Sequence, residues 1–409
     1  MPAVERSAIA AAVRRLDLDA LARERWYATK DEVPSSAALA HAFVLGPHAV
    51  LALVDLRLGE RGERTDRYVV PFTFIGLGEE TAAGEWVPAT EGDGAWGALA
   101  ACIAEGRTIA AVANDRVAPE AEAPGPAAAA LVCRPSAGLG ACWDGDPADV
   151  RAAAEVPLGR DQSNTSTVIG GSLLLKGYRR VQPGLNPDLE LTAYLSEEAD
   201  FPGVPRLAGF AEVITREGGA ATVAMLQAFI PDAEDAYERT AEFLADLVAA
   251  PGTASLEWAT EVAADLGTLT AGLHAALASP PPDAPDLAPR EATREELKAW
   301  RVDAHRQLNL ALPAVAGVDK AVADELKREA AAIAARVSRF EALATAPLVM
   351  RIHADLHLGQ ILVSDDGYRV IDFEGEPLRT IEDRRRPDSP LRDVASLLRS
   401  LDHVARSAH

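Results

Sequence analysis

Apolar residues recur at helical spacing from Ser7 to Ala28, where Ile9, Val13, Leu16 and Leu21 mark one face, so a helix is predicted there. The pattern then shifts to β-formers. Ala42 to Leu56 is rich in Val and Leu, Gly59 to Asp66 carries turn residues, and Tyr68 to Ile75 alternates. A small antiparallel sheet is therefore expected near the N-terminus. Gly84 to Gly97 is turn-rich, Trp96 to Glu105 reads as a short helix and Thr108 to Val112 as a short strand. Val117 to Ala130 holds only Ala, Pro, Glu, Gly and Val, the texture of a surface loop. Ser166 to Leu175 is β-rich about a Gly170-Gly171 turn, Asn186 to Ser196 is helical and Ala221 to Ile230 is strand-like. Beyond Asp232 the helical period dominates: Ala236 to Ala249, Ser255 to Leu277, Thr293 to Leu310 and Asp319 to Leu343. The proline-rich stretch Ser279 to Arg290 interrupts it. A strand–turn–strand returns at Gly359 to Phe373, and Pro390 to Ala408 is a last helix. No internal repeat is visible.

This order predicts an α+β chain in four parts. Residues 1–90 form an N-terminal cap, 91–155 a connecting region, 156–231 a small β-rich lobe and 232–409 a larger, mostly helical lobe. The composition, 48% hydrophobic and 25% charged over 409 residues, is that of a globular protein. The net charge of −22 argues against nucleic acid and against an anionic membrane surface as partners. A local basic pocket for a small anion remains compatible with it. No apolar run reaches the ~18 residues of a spanning helix, and Met1 to Lys30 is charged throughout, unlike a signal peptide. Cys102, Cys133 and Cys142 have no CxxC spacing and no nearby histidine, which fits a reducing cytoplasm without a zinc site. A monomeric cytoplasmic protein with small-molecule ligands is expected.

The sharpest chemistry lies in His353-Ala354-Asp355-Leu356-His357-Leu358-Gly359-Gln360 and in Ile371-Asp372-Phe373-Glu374. Two short strands, Leu362-Val363 and Tyr368 to Ile371, flank a turn carrying Asp366-Gly367. Such a hairpin brings Asp355, Gln360 and Asp372 toward one point, and converging oxygen ligands suit Mg²⁺. This is the order of parts in phosphoryl-transfer enzymes of the kinase type. Asp355 would orient the substrate hydroxyl, and Gln360 and Asp372 would hold the metal. Upstream, Lys176 closes the apolar run Leu173-Leu174-Leu175, as does a lysine on α- and β-phosphates. Glu190, on the helix opened by Asn186-Pro187, is expected to pair with Lys176. Ser163, Asn164, Thr165 and Ser166 form a hydroxyl-rich turn able to cradle phosphate, although GxGxxG is absent. Adenine is expected against Gln227, Phe229 and Ile230. His353 is expected to brace the loop, His357 to face the sugar or the loop backbone, and His274 to be a satisfied core residue. Trp26 and Trp86 are read as cap core.

Gln162 to Ser166, Arg179-Arg180 to Glu190, Asp355 to Gln360, Ile371 to Pro377 and Arg384 to Val394 together resemble actinobacterial maltokinase-like enzymes, as does Arg25-Trp26-Tyr27. The resemblance touches both ends and the middle of the chain. It implies a bilobal, aminoglycoside-phosphotransferase-like kinase fold with an N-terminal cap, and transfer of the ATP γ-phosphoryl group to a sugar hydroxyl with Mg²⁺. By this likeness Asp355 is the base and Gln360 and Asp372 are the metal ligands. Two branches are implied, maltokinase and glucosamine kinase. Ala354 stands where Gly is usual, Ala28-Thr29-Lys30 follows the Trp-Tyr pair, and the chain stops at His409 where maltokinases continue with further helices. A shortened chain or a different sugar pocket follows. Substrate contacts are expected from His357, Glu374, Glu376 and Asp402, and acidic walls suit an ammonium-bearing sugar, so glucosamine is favoured over maltose. A non-catalytic nucleotide-binding protein and an antibiotic phosphotransferase are the competing readings.

Overall fold

A computed structural model describes all residues except 1–3, 60–61, 77–83, 113–128, 160–163, 216–218, 250–252, 282–283, 343–344, 377–378 and 408–409. The N-terminal helical run is two helices, α1 (Arg6–Arg14) and α2 (Leu18–Arg23). Asp17 breaks it, because its carboxylate accepts the Ala20 N–H at 2.9 Å and starts a new helix. The strand-like stretch Ala42 to Leu56 falls across two strands, β1 (Ser36–Gly46) and β2 (Ala49–Leu58), turned at Pro47-His48. With β3 (Arg64–Ile75) and β4 (Glu85–Pro88) they form an antiparallel sheet in the order β1-β2-β3-β4. Trp86 is buried in the cap core and Trp26 packs on it.

Helix α3 (Ala95–Ala104) leads into a seven-stranded antiparallel sheet. Its strands are β5 (Thr108–Ala110), β6 (Ala130–Pro135), β7 (Glu155–Pro157), β8 (Thr165–Ile169), β9 (Leu173–Gly177), β10 (Leu207–Ile214) and β11 (Ala220–Ala228). Their order is β5-β6-β10-β11-β9-β8-β7. The short helix α4 (Leu139–Cys142) follows β6. The expected connecting region thus supplies β5 and β6 to the sheet that also carries Lys176, and the division at 155/156 has no counterpart in the strand pairing. Strand β10 escapes a pattern reading because two alanines and a glycine dilute its β-formers, and β6 because its apolar run is only four residues before Arg134-Pro135. One apolar core unites the cap and this sheet: Leu51 and Leu53 of the cap, Trp96 and Ile103 of α3, and Leu131, Leu175, Val223 and Leu226 belong to a single cluster.

Helix α5 (Pro187–Ala193) starts at Asn186, whose side chain accepts the Asp188 N–H, and continues into a π turn. Past the segment 229–233 the large lobe begins with β12 (Glu234–Asp235), α6 (Ala236–Ala249) and α7 (Thr253–Leu277). The pair β13 (Arg290–Glu291) and β14 (Leu348–Val349) encloses α8 (Arg294–Ala316) and α9 (Lys320–Val337). The hairpin β15 (Ile361–Ser364) and β16 (Gly367–Val370) pairs with β12. The chain continues through α10 (Ile381–Arg384) to α11 (Leu391–Ser407). A second core, with Leu273, Leu356, Ile361, Phe373 and Leu397, holds hairpin, α7 and α11 together. The architecture is α+β and bilobal.

Candidate active site

The segment before β15 is a loop whose backbone is held from behind. Asp393, fully buried at the start of α11, accepts the His353 and Ala354 N–H groups, each at 2.9 Å. His274 of α7 reaches the same carboxylate at 3.1 Å, so the expected core histidine has a polar partner. Ala354 has φ +70°, a left-handed conformation that disfavours a Cβ, and its N–H bond to Asp393 secures it. His353 is fully buried and bonds the Ile371 carbonyl at 3.0 Å, tying the loop to the segment just after β16 that carries Asp372. His357 turns toward the backbone, with Nδ1 accepting the Gly359 N–H at 3.1 Å, and its Nε2 lies 3.9 Å from Asp355. Asp355 is half-buried, and that burial pushes its carboxyl above the ordinary value against the pull of His357 and His353.

Facing this loop, Lys176 on β9 collects three carboxylates. Its Nζ lies 2.7 Å from Asp188 and 3.4 Å from Glu374, and it also bonds Asp372. Burial opposes the charge on this lysine, but the three acids hold its pKa well above the usual value. Burial also opposes ionisation of Asp372, yet the Lys176 ammonium keeps its carboxyl below the ordinary range. Glu374 is different. Burial and its acidic neighbours push it up to about 7. Gln360 donates from Nε2 to Asp372 at 3.2 Å. One oxygen from each of Asp188, Asp372 and Glu374 lies within 4.8 Å of the others, a hard-oxygen set of the kind divalent cations take.

The lysine's helix partner is Asp188, not Glu190. Asp188 also accepts the Tyr178 hydroxyl and the Phe373 N–H, each at 2.8 Å. Glu190 instead binds Arg351 and Arg385, both at 2.6 Å, and joins α5 to the large lobe. Two residues along a helix differ by about 200° in direction, so the two acids cannot share a target.

A cleft of about 730 Å³ runs between the lobes past Lys176, Gln360 and Asp372. Gln227, Phe229 and Ile230 line it, together with Asn164, Ser166 and His357. Two hinge amides are already engaged: Ala228 donates to the Arg206 carbonyl and Phe229 to the Ser172 carbonyl, both at 2.8 Å. Thr165 does not line this cleft. Its hydroxyl accepts from Arg179 at 2.7 Å on the other face of β8. Ser163 lies outside the described residues. Asn164 donates to Glu374, so this acid belongs to the Lys176 cluster rather than to a free sugar wall. Glu376 is exposed and pairs with Arg379 at 2.6 Å, and its charge acts on Asp355. Asp402 is exposed and pairs with Arg406, away from the cleft lining. Asp188 and Asp393 are the two acids in this arrangement that residue order alone did not single out.

The profile of a family described as "Phosphotransferase enzyme family" matches residues 155–408. A glucosamine kinase from Streptacidiphilus jiangxiensis is 34% identical over 252 residues, 60% of this chain and 53% of that protein. One from Mycolicibacterium smegmatis is 31% identical over 255 residues, 62% of this chain and 60% of that protein. The matched part therefore spans little more than half the length of these relatives. Among solved structures, a glucosamine kinase in complex with glucosamine, ADP and inorganic phosphate superposes with a TM-score of 0.67 at 25% identity, covering 98% of this chain and 80% of the other. Another crystal form of a glucosamine kinase gives 0.69 at 24% identity, with the same coverage.

Proposed function

Since this chain belongs to the phosphotransferase enzyme family, we propose that it is an ATP-dependent sugar kinase that converts glucosamine to glucosamine 6-phosphate. The observation that carries the proposal is the cleft constellation: Asp355 on a braced loop opposite Lys176, Asp372 and Gln360. The two relatives named glucosamine kinase and the neighbour bound to glucosamine and ADP favour this sugar over maltose or an aminoglycoside.

In this reading the adenine lies against Gln227, Phe229 and Ile230, and Lys176 meets the α- and β-phosphates. Asp355 accepts a hydrogen bond from the attacking hydroxyl and takes its proton as the bond to phosphorus forms. The upward push on the Asp355 carboxyl favours that role, because a base works best when its pKa approaches the operating pH. Glu376, near enough to act on Asp355, stands on the side of the sugar and suits its ammonium group. Mg²⁺ suits the acids gathered here, Asp372 with Glu374 and Asp188 alongside; Asp372 and the amide oxygen of Gln360, whose Nε2 bonds Asp372, would hold it, and it would supply charge neutralisation for the phosphates. Closure of the lobes would exclude water. The location where this chemistry finds its nucleotide is the cytoplasm, and one chain suffices for the site.

ADP release measured with glucosamine, glucose, maltose and kanamycin tests the reading. Glucosamine should give the highest kcat/KM, and Asp355→Asn should lower turnover by about 10² or more, beyond the usual worth of a general base at its low end, with an unchanged melting curve. Full turnover in Asp355→Asn would remove Asp355 from its role. Nucleotide binding without turnover on any sugar would favour a non-catalytic protein, and preference for maltose would move the chain to the other branch.

A further inference from the structure

A second cavity, of about 700 Å³, lies outside the reaction cleft, between the cap and the small lobe. Its lining includes Arg179, Trp26, Leu21, Glu24, Glu91 and Asn164. Arg179 is only 8% exposed. Its guanidinium lies 5.0 Å from the Trp26 ring and 4.7 Å from the Trp96 ring. Nε donates to Thr165 at 2.7 Å and Nη1 to the Val69 carbonyl at 3.4 Å. Among the described residues Nη2 has no acceptor and no carboxylate pairs with this cation. Burial lowers its pKa to about 10, opposed by Glu91 and Glu24, and it stays charged at neutral pH. A buried guanidinium without a counter-ion is expensive. Glu24 and Glu91 are exposed, and among the described residues neither carboxylate has an ion-pair partner. The cavity is therefore polarised, with a guanidinium whose Nη2 is unengaged on a buried wall, the acids Asp17, Glu24 and Glu91 beside Arg25 toward solvent, and an indole between them.

We propose that this cavity binds a small zwitterion whose anionic group meets Arg179 and whose ammonium group meets Glu91 and Glu24. An amino-sugar phosphate has both charges on one compact ring, and glucosamine 6-phosphate is the one that the reading above would make available. The choice of that molecule rests on the proposed kinase activity, whereas the polarised site does not. A planar guanidinium matches phosphate or carboxylate oxygens two at a time, and the sugar ring is of a size to lie along Trp26. Asn164 borders both this cavity and the cleft, where it bonds Glu374, so the two spaces share a wall.

Calorimetric titration of the full chain with glucosamine 6-phosphate, in saturating ADP and glucosamine, tests the site. Arg179→Lys keeps the charge and loses the fork, and should weaken binding about tenfold or more. Glu91→Gln is exposed and spares the fold; it should weaken binding about threefold, in the range of an exposed ion pair. Glucose 6-phosphate, which lacks the ammonium, should bind more weakly and be indifferent to Glu91→Gln. Binding that responds to both substitutions sustains the site even if ADP release shows no kinase activity. Absence of binding at millimolar ligand, or binding indifferent to both substitutions, overturns it even if the chain proves to be an active glucosamine kinase.

Discussion

Replacing Asp393 by asparagine isolates one buried carboxylate from everything that touches ligand. Both its oxygens accept backbone N–H groups at 2.9 Å, from His353 and Ala354, and one also meets His274 at 3.1 Å. Asparagine offers a single acceptor oxygen, so its NH₂ must confront one of those donors. A hydrogen bond to a charged group contributes about 1.5–3 kcal/mol and an orphaned buried donor costs about 1–3 kcal/mol. The two overlap, and a loss of about 2–4 kcal/mol is expected. For a lobe of this size that is roughly 5–10 °C in melting temperature. Because the released backbone is that of Ala354, one residue from Asp355, displacement there should lower kcat by about 10–100-fold. The KM for nucleotide should hold, since neither Lys176 nor the hinge is touched. Thermal melts and steady-state kinetics decide the matter, with the exposed Asp402→Asn on the same helix as control, expected within about 0.5 kcal/mol of the parent. A variant that melts with the parent and turns over normally would refute the account of the loop.

Ala354→Gly should stabilise the protein by about 0.5–1 kcal/mol, because relief of a left-handed non-glycine residue, about 1–3 kcal/mol, exceeds the added entropy of the unfolded chain; a lowered melting temperature would contradict this. Glu190→Gln leaves Arg351, 2% exposed, and Arg385 without their shared carboxylate, and should cost about 3–5 kcal/mol in chemical denaturation. Glu374, at about 7 in the fold against 4.5 free, keeps a proton that the unfolded chain has lost. Its contribution to stability therefore falls as pH rises from about 4.5 to 7 and is constant above. Denaturation midpoints of Glu374→Gln and parent, compared at pH 5 and pH 8, should show the variant gaining on the parent at the higher pH.

The meeting of Gln360 and Asp372 was legible in the sequence because it is local: they flank a two-strand hairpin whose register sets them together. Asp355 lies outside that register, on the loop whose backbone Asp393 holds. The choice between Asp188 and Glu190 was not legible, since both acids lie in one helical turn and the face turned to Lys176 depends on how α5 packs. Register explains the Thr165 and Ser166 outcome. Ser166 stands directly across from Lys176, so it shares the lysine's face, while Thr165 points the other way to Arg179. A strict period of two along β8 would have separated them. Asp393 was beyond reach, because the groups it binds lie 39 and 40 residues away on another element. Strand β10 was hidden by its alanines and glycine, and β6 by the shortness of its apolar run; their pairing with each other is long-range.

The apolar core shared by cap and seven-stranded sheet makes the cap a mechanical extension of that sheet. Backbone bonds reinforce the union, Val69 N–H to the Arg179 carbonyl at 2.7 Å and Val181 N–H to the Arg67 carbonyl at 2.9 Å. In the lobe closure proposed above, the cap would turn with that sheet as one lever. A fluorophore there, paired with one at Val318, 91% exposed between α8 and α9, converts a small hinge rotation into a large change of distance.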